Sequence, residues 1–203
     1  MPRVYIAGPS VFFTDAAKEG EIFRAVAARH GLSTVYPLDA APVDNRRAKF
    51  GTVAAAIAYG DDEAARIEQS CYAHMDSCAA VIADITPFRG PSADVGTALE
   101  IGYMRGCGKP RFLWSLQAGT SYADRVELDR MIVQDRDHGP IALEHVDVNG
   151  MLIENFGLTD NLMVALAPSD GVVHGTFPDA CKAAADFLNG AQKVKLPGEE
   201  AAP

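Results

Sequence analysis

Short β-branched runs alternate along this chain with longer amphipathic stretches, the pattern of an α/β fold on a parallel sheet. Val4-Tyr5-Ile6-Ala7 reads as the first strand, closed by Gly8-Pro9. Ile22, Phe23, Val26 and Ala27 recur at helical spacing, with Gly31 placed as the stop. Thr34-Val35-Tyr36 predicts a short strand ended by Pro37, and the weak pattern from Leu38 to about Gly60 predicts an extended connection. Asp61-Asp62-Glu63 set carboxylates in the first turn of a helix running to about Asp76. The continuous apolar run Ala79–Ala83 predicts a buried strand. A Pro/Gly-rich loop from Thr86 to Pro91 leads to a helix over about Ala93–Arg105, stopped by Gly106-Cys107-Gly108-Lys109-Pro110. Phe112-Leu113-Trp114 is the next strand, and a last one falls near Val172-Val173-His174. Thr176-Phe177-Pro178-Asp179 then opens a helix, because Thr can cap and Pro fits the first turn.

Between the last two strands, residues 118–156 are polar and predict an insertion with little regular structure. The tail 193–203 is expected to fray. No internal repeat or second core is visible, so residues 1–192 are expected to form one domain. At 203 residues with 48% hydrophobic and 22% charged positions, the composition is that of a folded globular chain.

Charge narrows the partners. With 18 basic against 27 acidic residues the net charge is −9, and there is no basic run to hold a phosphate backbone, so no nucleic-acid partner is expected. No apolar stretch approaches the ~18 residues that span a bilayer, and the opening residues carry no apolar leader core, so the expectation is no membrane and a cytoplasmic location. Cys71, Cys78, Cys107 and Cys181 lack paired spacing and read as reduced thiols. His30, His74, His138, His145 and His174 show no metal-ligand spacing. The glycines around 106–108 lack the third glycine of a dinucleotide loop, Gly108-Lys109-Pro110 is no P-loop, and no Gly-x-Ser-x-Gly elbow occurs. Neither a metal nor an organic cofactor is expected.

In an open parallel sheet, ligands bind beyond the carboxyl ends of the strands, where strand order reverses. Two loops fall at such ends: Gly8 to Phe13, and Asp84 to Asp94. The second leads to Glu100, whose helical neighbours from Val95 to Gly102 are small or apolar. Gly96 lies one turn before Glu100 on the same face and leaves space beside it, at a helix-propensity cost of ~1 kcal/mol. Asp84, Asp94 and Glu100 thus gather negative charge at the end of an apolar strand, which should push at least one pKa upward. Plainer readings exist for each: Asp94 as a helix cap, Asp84 bonded to loop amides, Glu100 merely solvated.

Three strings go further: Val4-Tyr5-Ile6-Ala7-Gly8-Pro9, then Ala83-Asp84-Ile85-Thr86-Pro87-Phe88-Arg89-Gly90, then Asp94-Val95-Gly96-Thr97-Ala98-Leu99-Glu100-Ile101-Gly102-Tyr103. With Asn155-Phe156-Gly157-Leu158 and Asn161-Leu162-Met163, they resemble the nucleoside 2-deoxyribosyltransferase family, in family order from Tyr5 to Met163. The resemblance implies a flavodoxin-like doubly wound parallel sheet with helices on both faces, and a homo-oligomer whose sites are completed across subunits. It implies 2′-deoxynucleosides and free nucleobases as the partners. By it, Glu100 is the nucleophile, Asp94 the acid contacting the departing base, and Tyr5 the hydroxyl that positions the nucleophile. Phe13 would line the base pocket, Gly8 and Asp84 would border the substrate, and Asn161 and Met163 would reach into a neighbour's site. One departure stands out: a second acidic or amide residue that many members carry falls here at Cys71.

Breaking an N-glycosidic bond builds positive charge on the anomeric carbon and negative charge on the base. A carboxylate on one side and an acid on the other suit that step. Deoxyribosyl transfer is therefore the leading expectation. An N-hydrolase of deoxynucleoside 5′-monophosphates, using the same Glu, is the alternative. A nucleoside-sensing module without turnover is a third reading.

Overall fold

The computed structural model describes residues 1–39, 61–126, 147 and 150–193. Its centre is a five-stranded, all-parallel sheet: β1 (Arg3–Ala7), β2 (Ser33–Val35), β3 (Ala80–Asp84), β4 (Arg111–Trp114) and β5 (Val173–His174). Strand order is β2-β1-β3-β4-β5. This is the doubly wound order, and the direction of winding reverses between β1 and β3. Register pairs Tyr5 with Val35 on one side and with Val81 on the other, and sets Ala7 opposite Ala83.

Alternation along each strand sends successive side chains to opposite faces. Val4, Ile6, Ala80, Ile82, Phe112 and Trp114 pack with Phe23 and Ala27 of α1 (Ala16–Arg29) and Phe177, Ala180, Cys181 and Ala184 of α4 (Phe177–Lys193). Tyr5, Ala7, Val81, Ala83 and Leu113 pack on the other side with Met75 of α2 (Asp61–Ser77) and Ile101 and Met104 of α3 (Val95–Gly106). Each fully buried Leu, Ile, Phe or Met here contributes roughly 1.5–3 kcal/mol. Both faces of the sheet are covered by helices.

The ends of the elements follow local chemistry. Gly31 takes φ +74° after α1, the left-handed turn a glycine permits. Lys109 donates from Nζ to the carbonyls of Met75 (2.8 Å) and Asp76 (2.7 Å), satisfying the last turn of α2. Thr176 caps α4, its Oγ1 accepting from the Asp179 amide at 3.3 Å.

Most expected elements stand within one or two residues of their places. The connection after β2 begins as a 3-10 turn (Pro37–Asp39) rather than extended chain, because the Asp39 carboxylate accepts the Tyr36 amide at 3.0 Å. The remainder of that connection (40–60), the middle of the expected insertion (127–146) and the tail (194–203) lie outside the described residues. Within the insertion, residues 122–126 are helical and Arg125 is buried, whereas 118–121 and 150–156 hold no regular element beyond a single bridge at Leu152, as expected. Among the described residues no helix is long and apolar enough to cross a membrane.

Candidate active site

The strand order sets the expected ligand position where the sheet reverses, at the carboxyl ends of β1 and β3. Gly8 ends β1 so close to β3 that a Cβ built on it would stand 2.8 Å from the Asp84 Cβ. A side chain at position 8 would push the two strand ends apart. Asp84 is buried, and its Oδ1 accepts the Thr86 amide at 2.8 Å, so the loop-amide reading of this residue describes its bonding. Burial pushes its carboxyl up to about 6, and the Thr86 bonds act in the opposite direction.

Tyr5 and Glu100 meet across 95 positions of sequence. Because Tyr5 sits on the odd register of β1, its side chain faces α3 rather than α1. Its hydroxyl donates to Glu100 Oε1 at 2.6 Å. Tyr5 is fully buried; burial first, and then the neighbouring Glu100 charge, push its phenol far above the usual range, so it remains a donor. Glu100 is half-buried. Desolvation pushes its carboxyl up to about 7, the Tyr5 bond opposes the rise, and the Asp94 charge adds to it. A carboxylate on a helix of small residues is here partly desolvated and fixed at one oxygen.

Asp94 is the N-cap of α3. Its Oδ2 accepts the Thr97 amide (3.0 Å) and the Thr97 hydroxyl (3.2 Å). The space left by Gly96 is taken by this same oxygen, which lies 3.0 Å from where a Cβ would stand. The glycine therefore admits the cap carboxylate, one turn before Glu100. Cap and crevice are compatible roles for Asp94, since one oxygen serves the helix and the charge is felt at Glu100.

Cys71 of α2 also reaches this pair. Burial raises its thiol pKa, the Tyr5 hydroxyl lowers it, and the Glu100 charge raises it. Phe13 closes the 3-10 turn after β1 and is half-exposed. On the rim, the exposed Phe12 stacks on Phe88 with centroids 5.4 Å apart, and the Arg89 guanidinium lies 4.7 Å from the Phe88 centroid and 5.1 Å from that of Phe12. Arg89 holds φ 58°, so this contact joins the two crevice loops through a strained residue.

Asn161 and Met163 are both exposed. Asn161 caps the short helix Leu162–Ala165, its Oδ1 accepting the Met163 amide at 3.0 Å, and its Nδ2 donates to Glu154 Oε2 at 2.8 Å. Met163 is 67% exposed. Glu154 also takes the Leu162 amide at 2.6 Å. Sequence reasoning passed over Glu154, which lies in the polar stretch read as an insertion, and over the fully buried Asp160. No local pattern marks Asp160, because its partners Ser92 and Ala93 lie 68 and 67 positions away. Among the described residues no group of three or more His, Cys, Asp or Glu is placed to hold a metal ion.

The arrangement offers a partly desolvated carboxylate held by a phenol, with a second carboxylate one turn away and aromatic rings on the rim. It can stabilise a cationic carbon and bond to it.

Comparison with known proteins points the same way. The family model described as nucleoside 2-deoxyribosyltransferase matches residues 4–163. A 2-desoxiribosyltransferase from Leishmania mexicana has a similar structure, with 26% identity and a TM-score of 0.60, over 92% of this chain and 98% of that one. A conserved protein from Enterococcus faecalis V583 shares the fold at 16% identity and a TM-score of 0.51, over 90% of this chain and 96% of that one. An uncharacterised protein of Schizosaccharomyces pombe is 27% identical over 171 residues, 80% of this chain and 75% of that protein.

Proposed function

The chain belongs to the nucleoside 2-deoxyribosyltransferase family, and from that premise we propose that it moves 2-deoxyribose between nucleobases through a temporary ester on Glu100. The observation that carries this reading is the 2.6 Å bond from the buried Tyr5 hydroxyl to Glu100 Oε1 at the reversal point of the sheet.

One oxygen of the Glu100 carboxylate attacks C1′ of the nucleoside. The C1′–N bond breaks, its electron pair leaves with the base, and Asp94 delivers a proton to that base. A second base then attacks C1′ from the opposite face and gives its proton to Asp94. The ester bond breaks, and its electron pair returns to Glu100. Two inversions give net retention at the anomeric carbon.

Tyr5 keeps the nucleophile in one orientation, and Phe13 offers a ring for the base to pack on. Gly8 and Asp84 border the sugar. A 2′-hydroxyl withdraws electrons from the forming cation, which favours 2′-deoxynucleosides. Transfer outruns hydrolysis when water is kept from the ester. In this reading a second copy of the chain supplies that cover, with Asn161 and Met163 on the contributing surface. The apolar residues exposed on α3, Val95 (84%) and Leu99 (62%), support such an association.

The test is to incubate the protein with a deoxynucleoside and a second base and to separate the products by chromatography. A new deoxynucleoside supports the proposal. Free deoxyribose with no new nucleoside overturns it in favour of hydrolysis; no conversion overturns it too, and base released from a deoxynucleoside 5′-monophosphate then supports the N-hydrolase instead.

A further inference from the structure

Two stretches distant in sequence, one of them leading directly into Asp94, are pinned together by buried polar groups. Asp160 is fully buried and uses both oxygens: Oδ1 accepts the Ser92 hydroxyl (2.5 Å) and the Asn161 amide (2.7 Å), and Oδ2 accepts the Ala93 amide (2.8 Å). Arg125, 8% exposed, spreads its fork over three carbonyls. It donates from Nε to Pro91 (2.7 Å), from Nη1 to Thr120 (3.0 Å), and from Nη2 to Thr159. Arg125 and Asp160 also lie within electrostatic reach of each other. Two opposite charges buried this deeply, with their bonds filled by backbone and hydroxyl groups, form a unit that resists partial opening.

The placement of these bonds gives the unit its meaning. Pro91, Ser92 and Ala93 immediately precede Asp94, the cap of α3 and the proposed acid. Thr159 and Asp160 immediately precede Asn161, which the proposed function assigns to the surface lent to a neighbouring copy. We infer that Asp160 and Arg125 are positioning residues that lock the segment carrying Asp94 to the segment carrying Asn161, so that this chain's own site and the surface it lends to a neighbour's keep one spacing. Neither side chain need touch the substrate. The inference rests on the proposed deoxyribosyl transfer for its kinetic consequence, and on the hydrogen bonds alone for its mechanical one.

The alternative is that the pair merely adds stability, which would leave the spacing of the site unaffected once the chain has folded. Hydrogen–deuterium exchange read by peptide mass, together with steady-state kinetics, separates the two. In Asp160→Asn, the new amide nitrogen cannot accept a hydrogen bond and the charge facing Arg125 is gone. Exchange should rise together in peptides covering 91–97 and 159–163 and stay unchanged in β2 and α1. For a deoxynucleoside donor, kcat/KM should fall about 10- to 100-fold, through both a higher KM and a lower kcat, because the Asp94 side and the neighbour-completing side of the shared sites lose register. Arg125→Lys should give the same pattern at smaller amplitude, since one ammonium cannot bridge three carbonyls. Ser92→Ala removes a single bond and serves if the others fold poorly; its two peptides should still rise together. Uniform protection loss across the chain, independent opening of the two peptides, or kcat/KM within about twofold of the parent despite opening would each overturn the inference. If the unmodified protein turns over no deoxynucleoside, the proposed function fails while the lock is judged by exchange alone: coupled opening sustains it and independent opening overturns it.

Discussion

Glu100→Gln separates the role of this side chain in chemistry from its effect on stability. The fold raises the Glu100 carboxyl from its ordinary 4.5 to about 7, chiefly by desolvation. At pH 8 ionising it therefore costs about 3 kcal/mol more in the folded than in the unfolded chain. The folded state binds more protons than the unfolded state between those two values, so this contribution lowers stability as pH rises through them. Glutamine removes the charge and keeps an oxygen to accept from Tyr5. The change of the Tyr5 bond from charge-assisted to neutral is already contained in that shift. Solvent at the half-buried carboxyl discounts the gain, leaving a net of about 1–2 kcal/mol at pH 8. For a chain of this size that is a rise in Tm of about 2–8 °C. At about pH 5.5 the cost of ionisation in the parent is only about 1 kcal/mol, and the advantage of the variant should vanish. Transfer should fall by about 10³-fold or more at both pH values. Melting curves of parent and variant at the two pH values, with product chromatography alongside, provide the assay. A gain in Tm that is the same at both pH values, or transfer that survives, would refute the reasoning.

Three further outcomes follow from the same geometry. Tyr5→Phe removes a bond to a charged group, about 1.5–3 kcal/mol, so kcat should fall about 10- to 100-fold. Because that bond holds the Glu100 pKa down, the rise of kcat/KM with pH, expected through about 7 in the parent as Glu100 ionises, should shift to higher pH in the variant's pH–rate profile. Asp94→Ala loses the cap of α3, about 1 kcal/mol by denaturant titration, together with activity; Asp94→Asn keeps a capping oxygen, so its stability should hold while turnover falls. Gly8→Ala sets a Cβ 2.8 Å from the Asp84 Cβ at φ +155°, and calorimetry should show a loss of about 1–3 kcal/mol.

Much of this architecture is legible in the chain because it is written in local patterns. The period-two and period-3.6 runs mark the sheet and its helices, and Asp94-Val95-Gly96-Thr97 spells out a cap and its first turn. The Tyr5–Glu100 bond is another matter. Spacing alone points to Glu100 beyond β3; Tyr5 as its partner comes from the family resemblance and not from any periodicity, and the strand order and register turn Tyr5 toward it. Likewise Gly96 reads as space for a ligand, whereas in the fold the Asp94 carboxylate occupies it. Arg125 and Asp160 were invisible for a physical reason: each bonds to backbone or hydroxyl groups far away in sequence, and no periodicity records such partners. Asn161 shows the same limit, since its bond to Glu154 depends on how a long polar stretch returns to the fold.

The central claim is that the side chain at position 100 becomes covalently joined to a sugar during turnover. Protein quenched during reaction with a deoxynucleoside, digested and weighed, tests it directly. The account predicts a peptide containing Glu100 that is heavier by one deoxyribosyl group and loses that mass when a second base is added. Turnover with no such adduct, or with the sugar on another residue, would contradict it.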